Sequence, residues 1–470
     1  MTLSLAARPL EPVAVVGLGV SGRAVARHLL ARGIRPLAFD QRAPVAGEAL
    51  PADLAALAEA GAELVLGENE LGRLGRCATA FVTPGMRKDH PALVAARAAG
   101  TRLTGEIPFV LGAALAPTLG ITGSAGKTTT TTLVGEILRE AGVDAFVGGN
   151  IGRPAIEALD LVPPPPWLVL ELSSFQLDLC DLSPRIGVLL NLAPNHLDVH
   201  PTFADYRRAK LNILAHQGED DVAVTAADHP VAGADGAGHA RRRLTFGVGP
   251  ERGGLALGEG ASVVGGQVVL RLDGREERVL DVAEIPLPGR HNLENVLAAC
   301  LIARLAGASA AAAAAVRAFR GVRHRLELVH VENDVRYVDD SIATAPDRTI
   351  AALEAVEGGI VLIAGGSDKG VGYAVLGPHL RARVRVLVTM GTTGPAIARA
   401  SRAAGGPEAL VASDLAEAVA IARRAARPGE TVLLAPASAS FDQFANYAAR
   451  GDAFARLVRG ETGRASGGHG

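Results

Sequence analysis

The chain has 470 residues, which is enough for two to four domains that each bury a core of their own. Its formal net charge of −2 argues against a nucleic-acid-binding surface and a polybasic membrane patch, and no apolar run approaches the roughly 18 residues of a membrane span. The first residues lack the order of a secretory signal, and Cys77, Cys180 and Cys300 are widely spaced and odd in number, as expected for reduced thiols in a cytoplasmic protein.

Short β-branched runs alternate with alanine-rich helical segments, which predicts an α/β fold with parallel sheets. Strands are expected at 13–16, 36–39, 80–83, 118–122, 167–171, 186–191, 222–225, 360–364, 384–390 and 431–435. Gly-rich turns between alternating segments over 244–287 predict antiparallel strands, and helices follow at 291–306 and 309–319. We predict three domains, at 1–105, 106–320 and 321–460, and a disordered tail over 461–470.

The segment GLGVSG, with Gly17, Gly19 and Gly22, lies between a predicted strand and a predicted helix, and Asp40 ends the next strand. Glycines there let the backbone approach a diphosphate, and the acid can reach a ribose hydroxyl. Taken alone, this pattern indicates an NAD-dependent oxidoreductase. The alternatives are a tight turn without a ligand and a site for the diphosphate of a nucleotide-linked substrate.

A second glycine-rich turn spans Gly120 to Thr128 and includes Lys127. The strand, the turn, the lysine and the hydroxyl at the start of a helix are the parts of a phosphate-binding loop, although Ile121 stands where the usual spacing has glycine. The loop therefore predicts ATP binding, with Thr128 on Mg²⁺. Glu171, at the end of a predicted strand, is the expected acidic partner of the metal.

Only four of the 47 basic residues are lysines, and lysine is a compact charge whose pKa can be lowered. Lys127, Lys210 and Lys369 lie in segments typical of binding sites, whereas we interpret Lys88 as an ordinary surface charge. His196, Asp198 and His200 cluster after a predicted strand, and Lys210 follows them on a helix. These two phosphate sites and this metal-like cluster predict that ATP drives a reaction of a second, phosphate-bearing substrate.

Seven segments carry the motifs of one known family: GITGSAGKTTTT (120–131), ELSSFQLD (171–178), NLAPNHLDVHPTFADYRRAK (191–210), GRHNLENVLAA (289–299), GVRHRLE (321–327), DDSIAT (339–344) and LLAPASASFDQFANYAARGDAF (433–454). In order and spacing they resemble the bacterial Mur ligases, most closely those that add D-glutamate to UDP-N-acetylmuramoyl-L-alanine (UDP-MurNAc-L-Ala). The resemblance implies a Rossmann-like first domain, a central P-loop domain with a mostly parallel sheet and a small antiparallel sheet, and a Rossmann-like last domain.

The resemblance also implies the reaction and its place in the cell. The enzyme would be a cytoplasmic monomer that joins D-glutamate to UDP-MurNAc-L-Ala through an acyl phosphate. This reaction would belong to peptidoglycan precursor synthesis, and so to cell shape and division. The UDP-sugar contacts would be Val20, Ser21, Asp40, Arg42, Gly85 and Asn150. The ATP contacts would be Gly123, Ser124, Ala125, Gly126, Lys127, Thr128, Asn295, Arg325 and Asp340.

Two metal sites and a glutamate site follow from the same resemblance. Thr128 and Glu171 would hold one Mg²⁺, and His196 and a carboxylated Lys210 the other. Neighbouring Arg207 and Arg208 are expected to lower the pKa of Lys210 and so leave a neutral amine for CO₂. Glutamate would meet Thr344, Lys369, Ser440 and Tyr447.

The chain differs from the family pattern at three places: it has Ser124-Ala125 where Thr-Asn is common, Tyr447 where phenylalanine is common, and Ile342 where many members have lysine. The change at Ile342 removes a cation from the expected glutamate site and leaves an L-glutamate-adding relative as an alternative. A regulatory nucleotide-binding module without catalysis would explain both glycine-rich loops but not the glutamate-site residues.

Overall fold

The computed structural model describes residues 11–41, 50–84, 86–194, 200, 202–227, 238–248, 258–368 and 372–461. The chain forms two compact units, one ending at Arg320 and the other beginning at Gly321. Within the described residues, no helix is both long and apolar enough to cross a membrane. The ten predicted strands are all present, with ends shifted by at most two residues, which confirms the α/β class.

The first sheet has five parallel strands in the order β3-β2-β1-β4-β5. The strands are β1 (Val13–Val16), β2 (Leu37–Asp40), β3 (Glu63–Leu66), β4 (Thr79–Val82) and β5 (Arg102–Thr104). The helices are α1 (Val20–Ala31), α2 (Ala52–Glu59), α3 (Pro91–Ala98) and α4 (Glu106–Ala113). Because the strand order reverses between β1 and β4, a crevice for a ligand is expected at the carboxyl ends of these two strands.

The second sheet has nine strands in the order β14-β13-β12-β11-β10-β9-β6-β8-β7. They are β6 (Thr118–Thr122), β7 (Phe146–Gly149), β8 (Leu168–Glu171), β9 (Ile186–Leu189), β10 (Val222–Ala226), β11 (Arg242–Gly247), β12 (Gly260–Val264), β13 (Gln267–Leu272) and β14 (Arg275–Asp281). The helices are α5 (Lys127–Glu140), α6 (Ser174–Leu177), α7 (Phe203–Ala215), α8 (Arg290–Leu305) and α9 (Ser309–Ala318).

The prediction of antiparallel strands over 244–287 is wrong for the first of them. β11 runs parallel to both β10 and β12, and the antiparallel pairs of this segment are β12–β13 and β13–β14. The parallel part of the sheet thus extends further than the Gly-rich turns suggest. The division of the first unit into two domains stays a prediction, and its two sheets lie within residues 13–104 and 118–281.

The third sheet, in the second unit, has the order β15-β16-β20-β17-β18-β19 and is parallel except for the β15–β16 pair. Its strands are β15 (Glu327–Glu332), β16 (Val335–Asp339), β17 (Ile360–Gly365), β18 (Val384–Met390), β19 (Ala409–Val411) and β20 (Thr431–Leu434). The helices are α10 (Pro346–Ala355), α11 (Gly377–Arg383), α12 (Gly394–Ala403), α13 (Leu415–Ala425) and α14 (Tyr447–Val458). The loops after the adjacent strands β16, β20 and β17 therefore leave the same edge of the sheet.

Candidate active site

The phosphate-binding loop connects the buried strand β6 to α5. Gly126 has a φ of +81°, and a Cβ there would overlap Asn295 Oδ1, so both the backbone angle and the close approach require glycine. Lys127 Nζ donates hydrogen bonds to the carbonyl oxygens of Gly123, at 2.8 Å, and Ser124, at 3.3 Å. The lysine charge thus lies on the loop, where a terminal phosphate would meet it.

The loop is fastened to the chain segment that follows β9. Ser124 Oγ donates to the Ala193 carbonyl at 2.9 Å and lies 3.0 Å from the Tyr206 hydroxyl. The Ala125 amide donates to Asn191 Oδ1 at 2.8 Å, and Asn191 Nδ2 donates back to the Ala125 carbonyl at 3.1 Å. Sequence analysis assigned no role to Asn191, although its position at the end of a predicted strand was a usable signal. Ser124 and Ala125, which depart from the family pattern, are both compatible with an ordered loop.

Asn295, a predicted ATP contact, lies behind the loop. It is buried against Gly126, and its Oδ1 accepts a hydrogen bond from Thr130 Oγ1 at 3.3 Å. The Asn295 side chain therefore supports the turn.

Lys210 is buried on α7, with 1% of its surface exposed. Its Nζ donates to Thr122 Oγ1 at 3.1 Å and lies 5.0 Å from the centroid of the Tyr206 ring. Burial and then the charge of Lys127 lower the pKa of Lys210 well below its ordinary value, while Glu171 acts in the opposite direction. The expectation that Arg207 and Arg208 lower this pKa is corrected: burial and Lys127 are the causes of the shift.

Glu171 ends β8 and is fully buried. One carboxylate oxygen, Oε1, accepts a hydrogen bond from Asn150 Nδ2 at 2.7 Å, and within the described part of the chain Oε2 has no hydrogen-bond partner. A buried carboxylate oxygen without a donor is costly unless a cation or a donor from a ligand meets it. Thr128, the other predicted ligand of this metal, is also buried, at the start of α5.

The first glycine-rich turn has the tight geometry that its sequence predicts. Gly17 has a φ of +89°, and a Cβ at Gly22 would overlap the Gly17 carbonyl oxygen. Asp40 Oδ2 accepts a hydrogen bond from the Leu18 amide at 2.9 Å, so this carboxylate holds the turn in place. Val20 is exposed and Ser21 is half-buried at the start of α1. The predicted contacts Arg42 and Gly85 lie outside the described residues.

Lys88 is not the ordinary surface charge that the sequence suggested. Only 21% of its side chain is exposed, and Nζ donates to Asp178 Oδ2 at 2.7 Å and to the Phe175 carbonyl at 3.1 Å. Burial lowers the pKa of Lys88, whereas the Asp178 carboxylate acts in the opposite direction. Lys88 thus links the segment after β4 to α6, the helix that begins three residues after Glu171.

A cavity of about 560 Å³ adjoins this ion pair. Its walls include Phe175 and His200, whose rings stack at 5.4 Å between centroids. His200 Nε2 lies 3.0 Å from Ser174 Oγ, so this histidine packs on α6. The other two polar residues of the predicted metal-like cluster, His196 and Asp198, lie outside the described residues.

The second unit holds another group of predicted site residues at the carboxyl edge of its sheet. Asp340 follows β16 and is buried, which raises the pKa of its carboxyl to about 7, and its Oδ1 accepts from the Leu326 amide at 3.1 Å. Ser440 is buried beyond β20, and Tyr447 is half-buried at the start of α14. The remaining predicted residues of this unit are Arg325, which is exposed, Thr344, which is half-buried, and Lys369, which lies outside the described residues.

Comparison with protein-family models matches the chain in three successive parts. The MurD-like N-terminal domain of Mur ligases matches residues 11–105, the Mur ligase middle domain matches 121–303, and the glutamate ligase domain of Mur ligases matches 324–438. A UDP-N-acetylmuramoylalanine–D-glutamate ligase from Symbiobacterium thermophilum is 47% identical over 95% of this chain and 98% of its own length. The chain belongs to the Mur ligase family.

Other relatives of this Mur ligase extend the same similarity. Enzymes with the same name from Pelotomaculum thermopropionicum and Acidobacterium capsulatum are 41% and 42% identical, over 95% and 97% of this chain and over 97% and 98% of their own lengths. The crystal structure of a murein peptide ligase from Psychrobacter arcticus matches with a TM-score of 0.50 at 18% identity, covering 96% of this chain and 97% of that one. That likeness shows a shared fold.

In this Mur ligase, the first unit brings together the phosphate-binding loop, Glu171, Asn150 and Lys210. The contacts are those described above, together with the charge of Lys127, which lowers the pKa of Lys210. Sequence analysis missed Thr122, Asn191 and the ion pair of Lys88 with Asp178. Asn191 had a signal in its position at a strand end, whereas Thr122 and the Lys88–Asp178 pair become recognisable only through their partners.

Proposed function

We propose that this Mur ligase joins the L-alanyl carboxylate of UDP-MurNAc-L-Ala to the amine of D-glutamate and uses ATP to do so. The similarity to a D-glutamate ligase at 47% identity over almost the whole of both chains is the observation that carries the proposal. The other two relatives described above have the same name, which favours D-glutamate over the L-glutamate alternative raised by Ile342. Family membership also favours a UDP-sugar over NAD at the Gly17–Gly22 turn.

ATP is needed because a carboxylate does not condense with an amine in water. The γ-phosphoryl group of ATP is transferred to the carboxylate of the sugar substrate, and the glutamate amine then displaces phosphate from the acyl phosphate. Both reacting groups are anions, so their approach must be helped by positive charge and by backbone donors. Lys127, held on the loop by the Gly123 and Ser124 carbonyls, supplies a charge at the position of the terminal phosphates.

Two Mg²⁺ ions fit this arrangement. Thr128 and Glu171 would hold one of them, and the unpartnered Oε2 of Glu171 supports this assignment. The lowered pKa of Lys210 favours the neutral amine that reacts with CO₂, and the resulting carbamate, with His196, would hold the other. When bound, the ions offset the negative charge of the phosphates and of the carboxylate.

The remaining predicted roles divide between the two units. Ser21, Asp40 and Asn150 of the first unit would orient the UDP-sugar, together with Val20, Arg42 and Gly85. Asp340 and Arg325 of the second unit are the remaining predicted ATP contacts, and Thr344, Lys369, Ser440 and Tyr447 are the predicted glutamate contacts. We further propose a cytoplasmic monomer, a location supported by the free state of Cys77, Cys180 and Cys300.

The test is phosphate release by the purified protein with ATP, Mg²⁺ and UDP-MurNAc-L-Ala. We expect release that depends on D-glutamate and is much slower with L-glutamate or with no amino acid. Equal rates with both enantiomers would contradict the assignment of D-glutamate. Absence of any glutamate-dependent release, or turnover of NAD without ATP, would overturn the ligase function.

A further inference from the structure

Arg450 carries a guanidinium group in the interior of the second unit. It lies on α14, and only 1% of its surface is exposed. Among the described residues it donates four hydrogen bonds, and none of their acceptors is a carboxylate. Burying a charge in this way is costly unless its hydrogen bonds are satisfied by a well-defined surrounding structure. Packing alone therefore does not explain why a charged arginine is buried at this position.

All four hydrogen bonds go to two loops that leave the same edge of the sheet. Nε donates to Ser341 Oγ at 2.9 Å, and Nη2 donates to the Ser341 carbonyl at 3.0 Å and to the Ser438 carbonyl at 3.1 Å. Nη1 donates to the Ala439 carbonyl at 3.0 Å. One planar side chain thus sets the spacing between the loop after β16 and the loop after β20.

A third loop, the one after β17, also contacts the loop after β20. The Ser367 amide donates to the Ala439 carbonyl at 3.0 Å, and the Phe441 amide donates to Ser367 Oγ at 3.1 Å. Gly366 has a φ of +153°, and a Cβ there would overlap the Ala439 carbonyl oxygen. The carbonyl of Ala439 is therefore shared between Arg450 and the loop after β17, which fixes all three loops relative to one another.

The guanidinium stays charged despite its burial. Burial lowers the pKa of Arg450 to about 10, while the carboxylates of Asp442 and Asp339 act in the opposite direction. Since an arginine with this pKa is protonated at neutral pH, the loops surround a fixed positive charge. Ser341 lies three residues before Thr344, and Ala439 immediately precedes Ser440. Thr344 and Ser440 are both predicted contacts of the incoming glutamate.

We propose that Arg450 is a positioning residue for glutamate, which holds the loops carrying Thr344 and Ser440 at the spacing that the amino acid requires. This inference rests on the proposed function. Arg450 is too deeply buried to bind the amino acid itself and acts through Ser341, Ser438 and Ala439. Its charge lies behind loops where Ile342 supplies none.

The test compares Arg450→Met and Arg450→Lys with a control, Arg456→Met, which removes an exposed arginine from the same helix. We expect Arg450→Met to raise the KM for D-glutamate by roughly tenfold or more, as loss of charge-assisted hydrogen bonds implies. The KM for UDP-MurNAc-L-Ala should stay within about twofold, and the KM for ATP, whose predicted contact Asp340 adjoins Ser341, should rise much less than the KM for D-glutamate. Arg450→Lys, which keeps the charge but not the planar fork, should lie between wild type and Arg450→Met, and the control should match wild type.

A second measurement separates this role from a general loss of structure. Formation of the acyl phosphate from ATP and UDP-MurNAc-L-Ala, measured without glutamate, should be retained in both Arg450 variants. An unchanged KM for D-glutamate, or a parallel rise in all three KM values, would overturn the inference. If Arg450→Met does not fold, Arg450→Lys decides between the same outcomes. Wild-type enzyme without glutamate-dependent phosphate release would instead refute the proposed function.

Discussion

Substitution of Lys210 tests the chemistry proposed for the buried amine. Nζ of this lysine is held by the Thr122 hydroxyl at 3.1 Å, above the Tyr206 ring and near the charge of Lys127. A lysine that acts only through its positive charge would be out of place here, because burial and Lys127 both oppose protonation. A neutral amine that becomes a metal-binding carbamate fits the same surroundings.

The two interpretations predict different orders of activity among three variants. Lys210→Ala should lower kcat by a factor of roughly 10² to 10³, which corresponds to about 2.7–4 kcal/mol for one preorganised electrostatic group. Lys210→Arg should be equally damaging, because arginine forms no carbamate and would bring a permanent charge into this buried site. Lys210→Met, which fills much of the same volume without a charge, should fold and be just as inactive.

The assay is ATP-dependent phosphate release with UDP-MurNAc-L-Ala and D-glutamate, with thermal unfolding of each variant as the control for folding. Acetate or formate should restore part of the activity of Lys210→Ala by supplying the missing carboxylate. Removal of dissolved CO₂ should lower wild-type activity, and bicarbonate should restore it. Retention of roughly a third or more of wild-type activity by Lys210→Arg would refute the carbamate, since the expected loss is at least a hundredfold.

Three further predictions concern Lys127, Asp340 and Lys88. Lys127→Ala should lower ligation by roughly 10² to 10³, and activity within threefold of wild type would contradict the role of the loop. Burial raises the pKa of the Asp340 carboxyl from 3.8 to about 7. The preference of the folded state for the protonated carboxyl therefore stabilises the protein fully below pH 4, and this contribution is lost as the pH rises through 7. In urea titrations without ligands, Asp340→Asn should therefore match wild type below pH 4 and exceed it by about 4 kcal/mol at pH 8; equal stability at both would contradict this. Lys88→Met should lower the free energy of unfolding by about 1–2 kcal/mol, whereas the exposed Arg87→Met should change it by less than about 0.5 kcal/mol; equal effects would show that burial of the Lys88 pair is unimportant.

Much of the fold could be predicted because its signals are local. Apolar strands such as Val13–Val16 and Thr118–Thr122 are buried on both faces, so each is a continuous apolar or β-branched run that needs no partner to be recognised. Strands β3, β5, β7, β15, β16 and β19 were missed. Four of them are only three or four residues long, and all six include exposed or half-exposed positions that interrupt the apolar signal. Pairing is not local either, which is why the parallel direction of β11 was not predicted.

The features of the candidate site likewise fall into local ones, which the sequence predicts, and non-local ones, which it does not. The sequence alone determined the α/β class, the two glycine-rich turns and the lysines at Lys127 and Lys210, because residue type and short spacing define these features. Only the tertiary structure decided that Lys88 pairs with Asp178, 90 positions away, and that Arg450 joins Ser341 to Ala439. The physical reason is that burial and hydrogen bonding turn an ordinary charge into a constrained one, and both depend on partners that no local pattern names.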